Sequence, residues 1–537
     1  MSIIDASELS DVTTLDTDIC IVGAGAAGIT LATELASTGR EICLVESGSH
    51  APDAAVQALH DLESDGYALR QNYMSRARYF GGTCNLWAGR SMVLGELDFE
   101  KRSWVPHSGW PIGYQEVAKY YPRANDILRL PRLPEAESAY FKKHFSTAEQ
   151  ALLADPDFIA TFSLWAKSAM RFGNAYQSTL RRLPNVKVLL NASVVSVDLG
   201  ESSRRTESLT IATLAGLRKK IRARTFVLAC GGLENARLLL VSRDRMPAGV
   251  GNEHDNVGRF FMDHPRAVFG KLHVKAEQRL SLLRGRPVAD GKFQVGIGLS
   301  PLAQQRDRLL NHYVTFELQT SGYTEAKYQS FVQTMKVVMR RGYSGSRWDF
   351  ARANAAQLPT MIYLLSPKEL MPHWFYRSYF AARELMPRKP EARSYVAVYF
   401  CEQPPDPQSR VTLSEQRDAL GVNRIKLHWR IGPEVAESIL RMQELLRIDV
   451  ERNGVGQLEV ASADKIAYTD ASHHMGTTRM SAQPADGVVD TNCAVHGVEN
   501  LYLAGSSVFP SAGHANPTLS IVALALRLAE HLRAPGR

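Results

Sequence analysis

The chain has 537 residues, 45% of them apolar and 22% charged, with a formal charge of +8 and a pI near 9.1. That length exceeds what one hydrophobic core usually supports, so two or more domains of an ordinary globular protein are expected. The densest basic run, "RKKIRAR" at 218–224, precedes an apolar strand-like stretch and reads as a solvated strand face, so no nucleic-acid partner is expected.

The N-terminus, "MSIIDASELSDVTTLDT", has no basic region leading into an apolar one, and no apolar run reaches the roughly 18 residues that span a bilayer. The six cysteines (Cys20, Cys43, Cys84, Cys230, Cys401 and Cys493) are scattered without a CxxC pair. Cys20, Cys43 and Cys230 fall in apolar strand-like runs, where a thiol packs as a small hydrophobe. Together these features predict a soluble, cytoplasmic protein with no membrane contact.

Residues 18–48, "DICIVGAGAAGITLATELASTGREICLVESG", read as one βαβ unit. An apolar strand, Ile19–Val22, enters Gly23-x-Gly25-x-x-Gly28. A helix follows, and a second strand, Ile42–Val45, ends at Glu46. The glycines permit a tight turn and close approach to a pyrophosphate, and the helix N-terminus favours its charge. Glu46 is placed to accept hydrogen bonds from a ribose diol and would repel a 2′-phosphate. The unit predicts a dinucleotide without deciding between NAD and FAD.

The segment 100–180 carries helix-like patterns. "TFVLACGGLENARLLL" (225–240) is a strand, a Gly-Gly turn and a helix, and 500–532 is a strand, a long turn and a closing helix. Between them, 275–455 holds more aromatics and alternating strands such as "SYVAVYF" (394–400) and "SRVTL" (409–413), so it reads as a second domain inserted into the first. The aromatic run "MPHWFYRSYF" (371–380) lines a bulky substrate on one reading and packs a core on the other. The expected class is α/β: a Rossmann-like domain, discontinuous in sequence, over 1–100, 185–270 and 460–537. An inserted α+β domain built on an antiparallel sheet covers 101–184 and 271–459.

"ASHHMGTTRM" (471–480) sets two histidines side by side, and in an extended segment neighbours point to opposite sides. Only one can face a given cavity. The histidines fit no zinc spacing, and no metal is expected.

Taken with "GGTCNLWAG" (81–89), "GWPIGY" (109–114), "EQPPDPQSRVTL" (402–413), "HHMGTTRM" (473–480) and the C-terminal "SSVFPSAGHANPTLSIVALALRLAEHL", the N-terminal unit resembles the glucose–methanol–choline oxidoreductases, which are FAD-dependent alcohol oxidases and dehydrogenases. The "ANPTL" ending is similar to the branch with pyranose oxidases and bacterial glycoside 3-oxidases. The resemblance implies FAD, with its pyrophosphate at Gly23, Gly25, Ala26, Ala27 and Gly28 and its adenosine ribose at Glu46 beside Ser47. It implies Gly82, Asn85, Leu86, Trp87 and Ala88 along the isoalloxazine and Val194 at the adenine. Gly231 joins the cofactor set, and Gly505, Ser506, Asn516, Pro517 and Thr518 close over the ribityl and pyrimidine end. The family's catalytic pair, the histidine that opens an HxxG stretch and a C-terminal His or Asn, maps onto His473, counted back from Gly476, and Asn516. Leu86 stands where some members tether the flavin through histidine, so non-covalent FAD is expected. Gly505 stands where many have aspartate, which leaves the ribityl chain to backbone groups or another side chain. His514, two residues before Asn516, is the competing choice for the second position, and the count favours Asn516.

Oxidising an alcohol needs loss of its hydroxyl proton and of a hydride from the same carbon; the flavin accepts the hydride at N5 and a neutral imidazole accepts the proton. The expected reaction is oxidation of a secondary hydroxyl of a pyranose sugar or glycoside, with His473 as base and with oxygen or another acceptor downstream. A steroid or aromatic alcohol is the alternative substrate. A non-redox family member such as a lyase, a light-driven enzyme and a non-catalytic nucleotide-binding protein are the alternative classes. A homo-oligomer is compatible with all of these.

Overall fold

The computed structural model describes residues 2–9, 14–69, 75–132, 155–275, 286–288, 290–318, 394–460 and 462–534, with parts of 139–151. Thr14–Val22, Ile42–Val45 and Val186–Leu190 form the parallel heart of one sheet. Ile3–Asp5 extends it at one edge, while Arg218–Leu228 and then Leu501–Leu503 extend it at the other. All four residues of Ile42–Val45 are buried, as expected of a parallel strand covered on both faces. Helix Ala26–Leu35 packs against the last helix, Thr518–Arg533, so the two ends of the chain share one core.

Arg218–Leu228 serves three partners. It pairs with Thr14–Val22 over most of its length, its apolar end meets Leu501–Leu503, and its basic beginning meets Thr206–Ala212 in an antiparallel ladder that continues to Ser193–Leu199. The basic residues 218–224 alternate around buried Ile221, so their charged heads stay in solvent. The strand stops at Leu228, which corrects the placement of Cys230: it lies in the following turn, where its backbone N–H donates to Asn235 Oδ1 at 2.8 Å. All six cysteines are free thiols.

A second sheet is antiparallel throughout. Among the described residues its main path runs Gly456–Glu459, Arg266–Val274, Ser394–Phe400, Tyr313–Leu318, Gly291–Leu299, Phe158–Ala166 and Arg90–Ser91. The two-residue alternation of its strands divides the side chains between two environments. Tyr399 and Val314 join Val435, Ile439, Met442 and Leu446 of helix Pro433–Arg452 on one face, while Phe400 and Tyr313 turn to the other. That helix starts after Gly432 with proline at its first position, where no amide hydrogen is needed.

Phe158–Ala166 differs from the helix-like reading of 100–180. Short helices do occur at Tyr114–Ala118, Tyr121–Leu128 and Phe172–Arg182, but "FIATFSLWA" is rich in aromatic and β-branched residues and forms a long strand against Gly291–Leu299. A small third sheet pairs Leu62–Gly66 in parallel with Asn423–Trp429, which pairs in turn with Arg410–Arg417. It joins segments that the sequence assigns to different domains. The aromatic run at 371–380 lies outside the described residues. Among the described residues, no helix is long and apolar enough to cross a membrane.

Candidate active site

Strand Thr14–Val22 turns sharply at Gly23, whose amide donates to Val45 O at 2.7 Å, and helix Ala26–Leu35 starts at Gly25 without a side-chain cap. Its first amide groups are therefore available to an anion. A Cβ at Gly28 would stand 1.9 Å from Gly23 O, and one at Gly82 (φ +58°) would stand 2.9 Å from Gly25 Cα. Only glycine lets the turn close and the 81–89 loop come down on it. A Cβ at Gly231 or Gly505 would meet nothing within 4 Å, so both backbones border open space.

Glu46 is buried at the end of its strand, and its two carboxylate oxygens accept from the amides of Ala24 (2.9 Å) and Gly48 (3.0 Å). Burial pushes its pKa up, while those two amides and Arg78 pull the other way. Glu46 thus braces the glycine turn, a task sequence reasoning missed, and each oxygen retains acceptor capacity for a ribose diol. Ser47 and Val194 are half-buried nearby in sequence to Glu46 and in the strand Ser193–Leu199, respectively. In the 81–89 loop Asn85 donates to Phe80 O at 3.0 Å and Trp87 to Met170 O at 2.8 Å, while Leu86 and Ala88 are exposed. An uncapped helix start, glycine backbones facing open space and a buried acid suit the pyrophosphate and ribose of FAD.

The histidine segment is held from three sides. Met475 exchanges two backbone hydrogen bonds with Met262, Gly476 N donates to Ser506 O at 3.2 Å, and Thr477 Oγ1 donates to Gly232 O at 2.5 Å. Asp263 Oδ1 accepts from the amides of His264, Ala471 and His473, which fixes the left-handed Ser472 between them. Asp263 Oδ2 is buried without a partner, and burial together with Asp470 raises this carboxyl to about 6.

The two histidines part company there. His474 is buried against the Phe261 ring, and Ser506 Oγ donates to its carbonyl at 2.6 Å. His473 instead meets His264 Nδ1 with its own Nδ1 at 2.9 Å and Asn516 Nδ2 with its Nε2 at 3.2 Å. The protons on this chain follow from its far end. His264 Nε2 faces the Ala512 carbonyl at 3.2 Å, which can only accept, so Nε2 carries the hydrogen. Nδ1 of His264 then accepts from Nδ1–H of His473, and His473 Nε2 keeps a lone pair. Burial lowers His264 to about 4 and holds His473 well below its usual range, with His264 and Arg266 adding to the effect on His473. Both rings are neutral near neutral pH.

His514 points elsewhere. Its Nδ1 lies 3.1 Å from both the carbonyl and Oδ1 of Asn311, and its ring packs on Tyr313 at 4.8 Å. The structure thus brings His473 and Asn516 together and adds His264 and Asp263, which the sequence did not single out. The signal for them was slight: an Asp-His-Pro triplet closing an apolar stretch, 209 residues from His473.

A parallel sheet with a glycine cradle, set beside an antiparallel sheet and a neutral histidine–asparagine pair, defines an FAD-dependent oxidoreductase. Residues 18–249 match the FAD dependent oxidoreductase family and residues 405–525 match the GMC oxidoreductase family. The chain is thus similar to the GMC oxidoreductases in its C-terminal part and to FAD-dependent oxidoreductases in its N-terminal part, and FAD is its cofactor. It is 25% identical to the fructose dehydrogenase large subunit of Gluconobacter japonicus, over 67% of this chain and 56% of that protein. It is 22% identical to paromamine 6'-oxidase of Streptomyces fradiae, over 96% of this chain and 90% of that one. The solved structure of pyridoxine 4-oxidase from Mesorbium loti shares the fold with a TM-score of 0.56, at 18% identity, over 96% of this chain and 99% of that one.

Proposed function

We propose that the protein oxidises a secondary hydroxyl of a pyranose sugar or glycoside to a carbonyl, with His473 as the base. The carrying observation is the lone pair on His473 Nε2, which accepts from the amide donor of Asn516 at 3.2 Å, a contact an alcohol hydroxyl can take over from both sides. An alcohol entering between them would donate its proton to Nε2 and accept from Nδ2, which aims its carbon at one position. FAD, when bound, supplies the hydride acceptor at N5. His264 keeps the base in the right tautomer, and Asp263 anchors its backbone. A positioned base of this kind contributes about 10²–10⁴-fold in rate.

The sugar is supported by relatives named for fructose and paromamine, and its oxidised hydroxyl by the resemblance in "ANPTL". The cofactor roles of the glycine turn, Glu46, the 81–89 loop and Gly505–Ser506 belong to this reading, as do the cytoplasmic setting and the non-covalent flavin. The test is anaerobic mixing with a panel of sugars, glycosides and sterols while the flavin absorbance is followed. Bleaching by a sugar or glycoside is the expected result. Bleaching by sterols alone would replace the substrate class, and no bleaching by any alcohol would remove the oxidation itself. Admitting oxygen afterwards distinguishes an oxidase from a dehydrogenase.

A further inference from the structure

One face of the antiparallel sheet carries two arginines beside the histidine pair. Arg266 follows His264 by two residues and lies opposite Phe400 in the ladder, which lies opposite Tyr313 in the next. These three side chains therefore share a face. The Arg266 guanidinium sits 4.9 Å from the centre of the Phe400 ring, and that of Arg90 sits 4.3 Å from the same centre. Tyr313 stacks on Phe400 at 4.8 Å and carries His514 on its other side. Both arginines act on His473, lowering its affinity for a proton.

Arg90 is the unusual member. It is only 9% exposed, donates to the Tyr313 hydroxyl, and leaves Nε buried with no partner. Trp165 and Tyr313 complete an aromatic surround at 5.3 and 5.6 Å, but no carboxylate pairs with Arg90 among the described residues; the acid that acts on it is Glu317, which is exposed on the same strand as Tyr313. Cation–π contacts offset only part of what burying an ion costs. A second guanidinium on the same ring adds repulsion. Burial and Arg266 together depress Arg90 to about 9. An oxyanion would relieve both costs, and guanidinium groups bind carboxylate and phosphate oxygens in pairs.

Resting on the sugar-oxidation reading, we propose that the substrate is an acidic sugar, whose carboxylate or phosphate is received by Arg90 and Arg266 while its reacting carbon lies against His473. The pair would then act as a specificity site, placing one hydroxyl of the ring at Nε2 by anchoring a charged group elsewhere on it. Neutralising Arg90 on binding also relieves that cation's opposition to a proton on His473, so the base strengthens when the anion is in place.

The test uses the holoenzyme and three related probes: methyl glucoside, methyl glucuronide and glucose 6-phosphate. Anaerobic flavin reduction should favour the carboxylate or the phosphate over the neutral glycoside by about tenfold or more in kcat/KM, the size of a charge-assisted hydrogen-bond pair. Whichever charged probe wins identifies the oxyanion. Arg90→Gln and Arg266→Gln, each checked for flavin content and circular dichroism, should bring that ratio towards one; Arg266 is half-exposed and offers the variant less prone to folding defects. Binding is read separately: cyclohexanecarboxylate should perturb the bound flavin's spectrum and cyclohexanol at equal concentration should not. If the neutral glycoside reduces the flavin as well as the charged probes, the anion site is wrong and the sugar reading survives. If cyclohexanecarboxylate binds but no sugar reduces the flavin, the anion site stands and the sugar reading fails. Equal slowing of all substrates in both variants would assign the arginines to flavin or fold and overturn the proposal.

Discussion

His264 and His473 meet nitrogen to nitrogen, with their Nδ1 atoms 2.9 Å apart and their rings nearly perpendicular at 81°. Since the Ala512 carbonyl holds the hydrogen of His264 on Nε2, this contact makes His473 a donor at Nδ1 and an acceptor at Nε2. His264→Ala should slow anaerobic flavin reduction about tenfold or more by releasing the ring to the other tautomer and to misplacement. His264→Asn, which restores an acceptor near the same place, should recover part of the rate. In the parent enzyme the rate should stay flat from about pH 8 down to about pH 6, because His473 titrates well below its usual value. Loss of His264 removes one cause of that depression, so the acid limb of the profile should move to higher pH. An unchanged profile in His264→Ala would deny the coupling.

The adjacent histidines face different surroundings, His473 toward His264 and Asn516 and His474 toward Phe261. His473→Ala should lower the rate of flavin reduction by about 10²-fold or more with FAD still bound. Asn516→Ala should slow it too, since a misplacement of about 1 Å can cost 10²-fold. His474→Ala should cost far less in that step and should act through stability or flavin content, because its ring packs on Phe261. Stopped-flow reduction of the three variants decides this; the opposite ranking of His473 and His474 would reverse the facing of the segment.

His474 also sets a direction for acid stability. Burial, with a smaller push from Arg76, lowers it to about 3. The unfolded chain therefore binds a proton there that the folded chain refuses, and stability falls as pH drops from about 6.5 towards that value. Thermal midpoints measured across that range should fall more steeply for the parent than for His474→Leu. Parallel curves would remove His474 as a contributor.

Glu46→Ala should weaken FAD retention through two losses: the diol acceptor and the brace on Ala24 and Gly48. Removing a charge-assisted hydrogen bond of this kind costs about 1.5–3 kcal/mol. Flavin fluorescence titration of the apoprotein measures it. Parent-like affinity would count against the assigned role.

The flavin should be released by acid precipitation, leaving a yellow supernatant. Leu86, 40% exposed in the 81–89 loop, offers no nucleophile for a tether. A yellow pellet would contradict this.

Much of the fold was legible because its signals are local. The run Ile42–Val45, the Gly23–Gly28 turn and the two-residue alternation of Ser394–Phe400 each specify their element within a few residues. Phe158–Ala166 escaped because its aromatic and β-branched residues sit amid helix-like neighbours and lack strict two-residue alternation, so the pairing with Gly291–Leu299 decided it. The preference for His473 over His474 and for Asn516 over His514 came from the family resemblance applied to near neighbours, and the structure places His473 and Asn516 in contact. The tautomer of His473 could not be read that way, because the proton that determines it sits on His264, 209 residues away, against a carbonyl from a third segment. Nor could the pairing of Arg90 with Arg266, which two strands from distant parts of the chain bring onto one aromatic ring. Residue type and periodicity act over one turn or one strand, whereas proton position and charge crowding depend on distances through space, and those exist only once the sheets have packed.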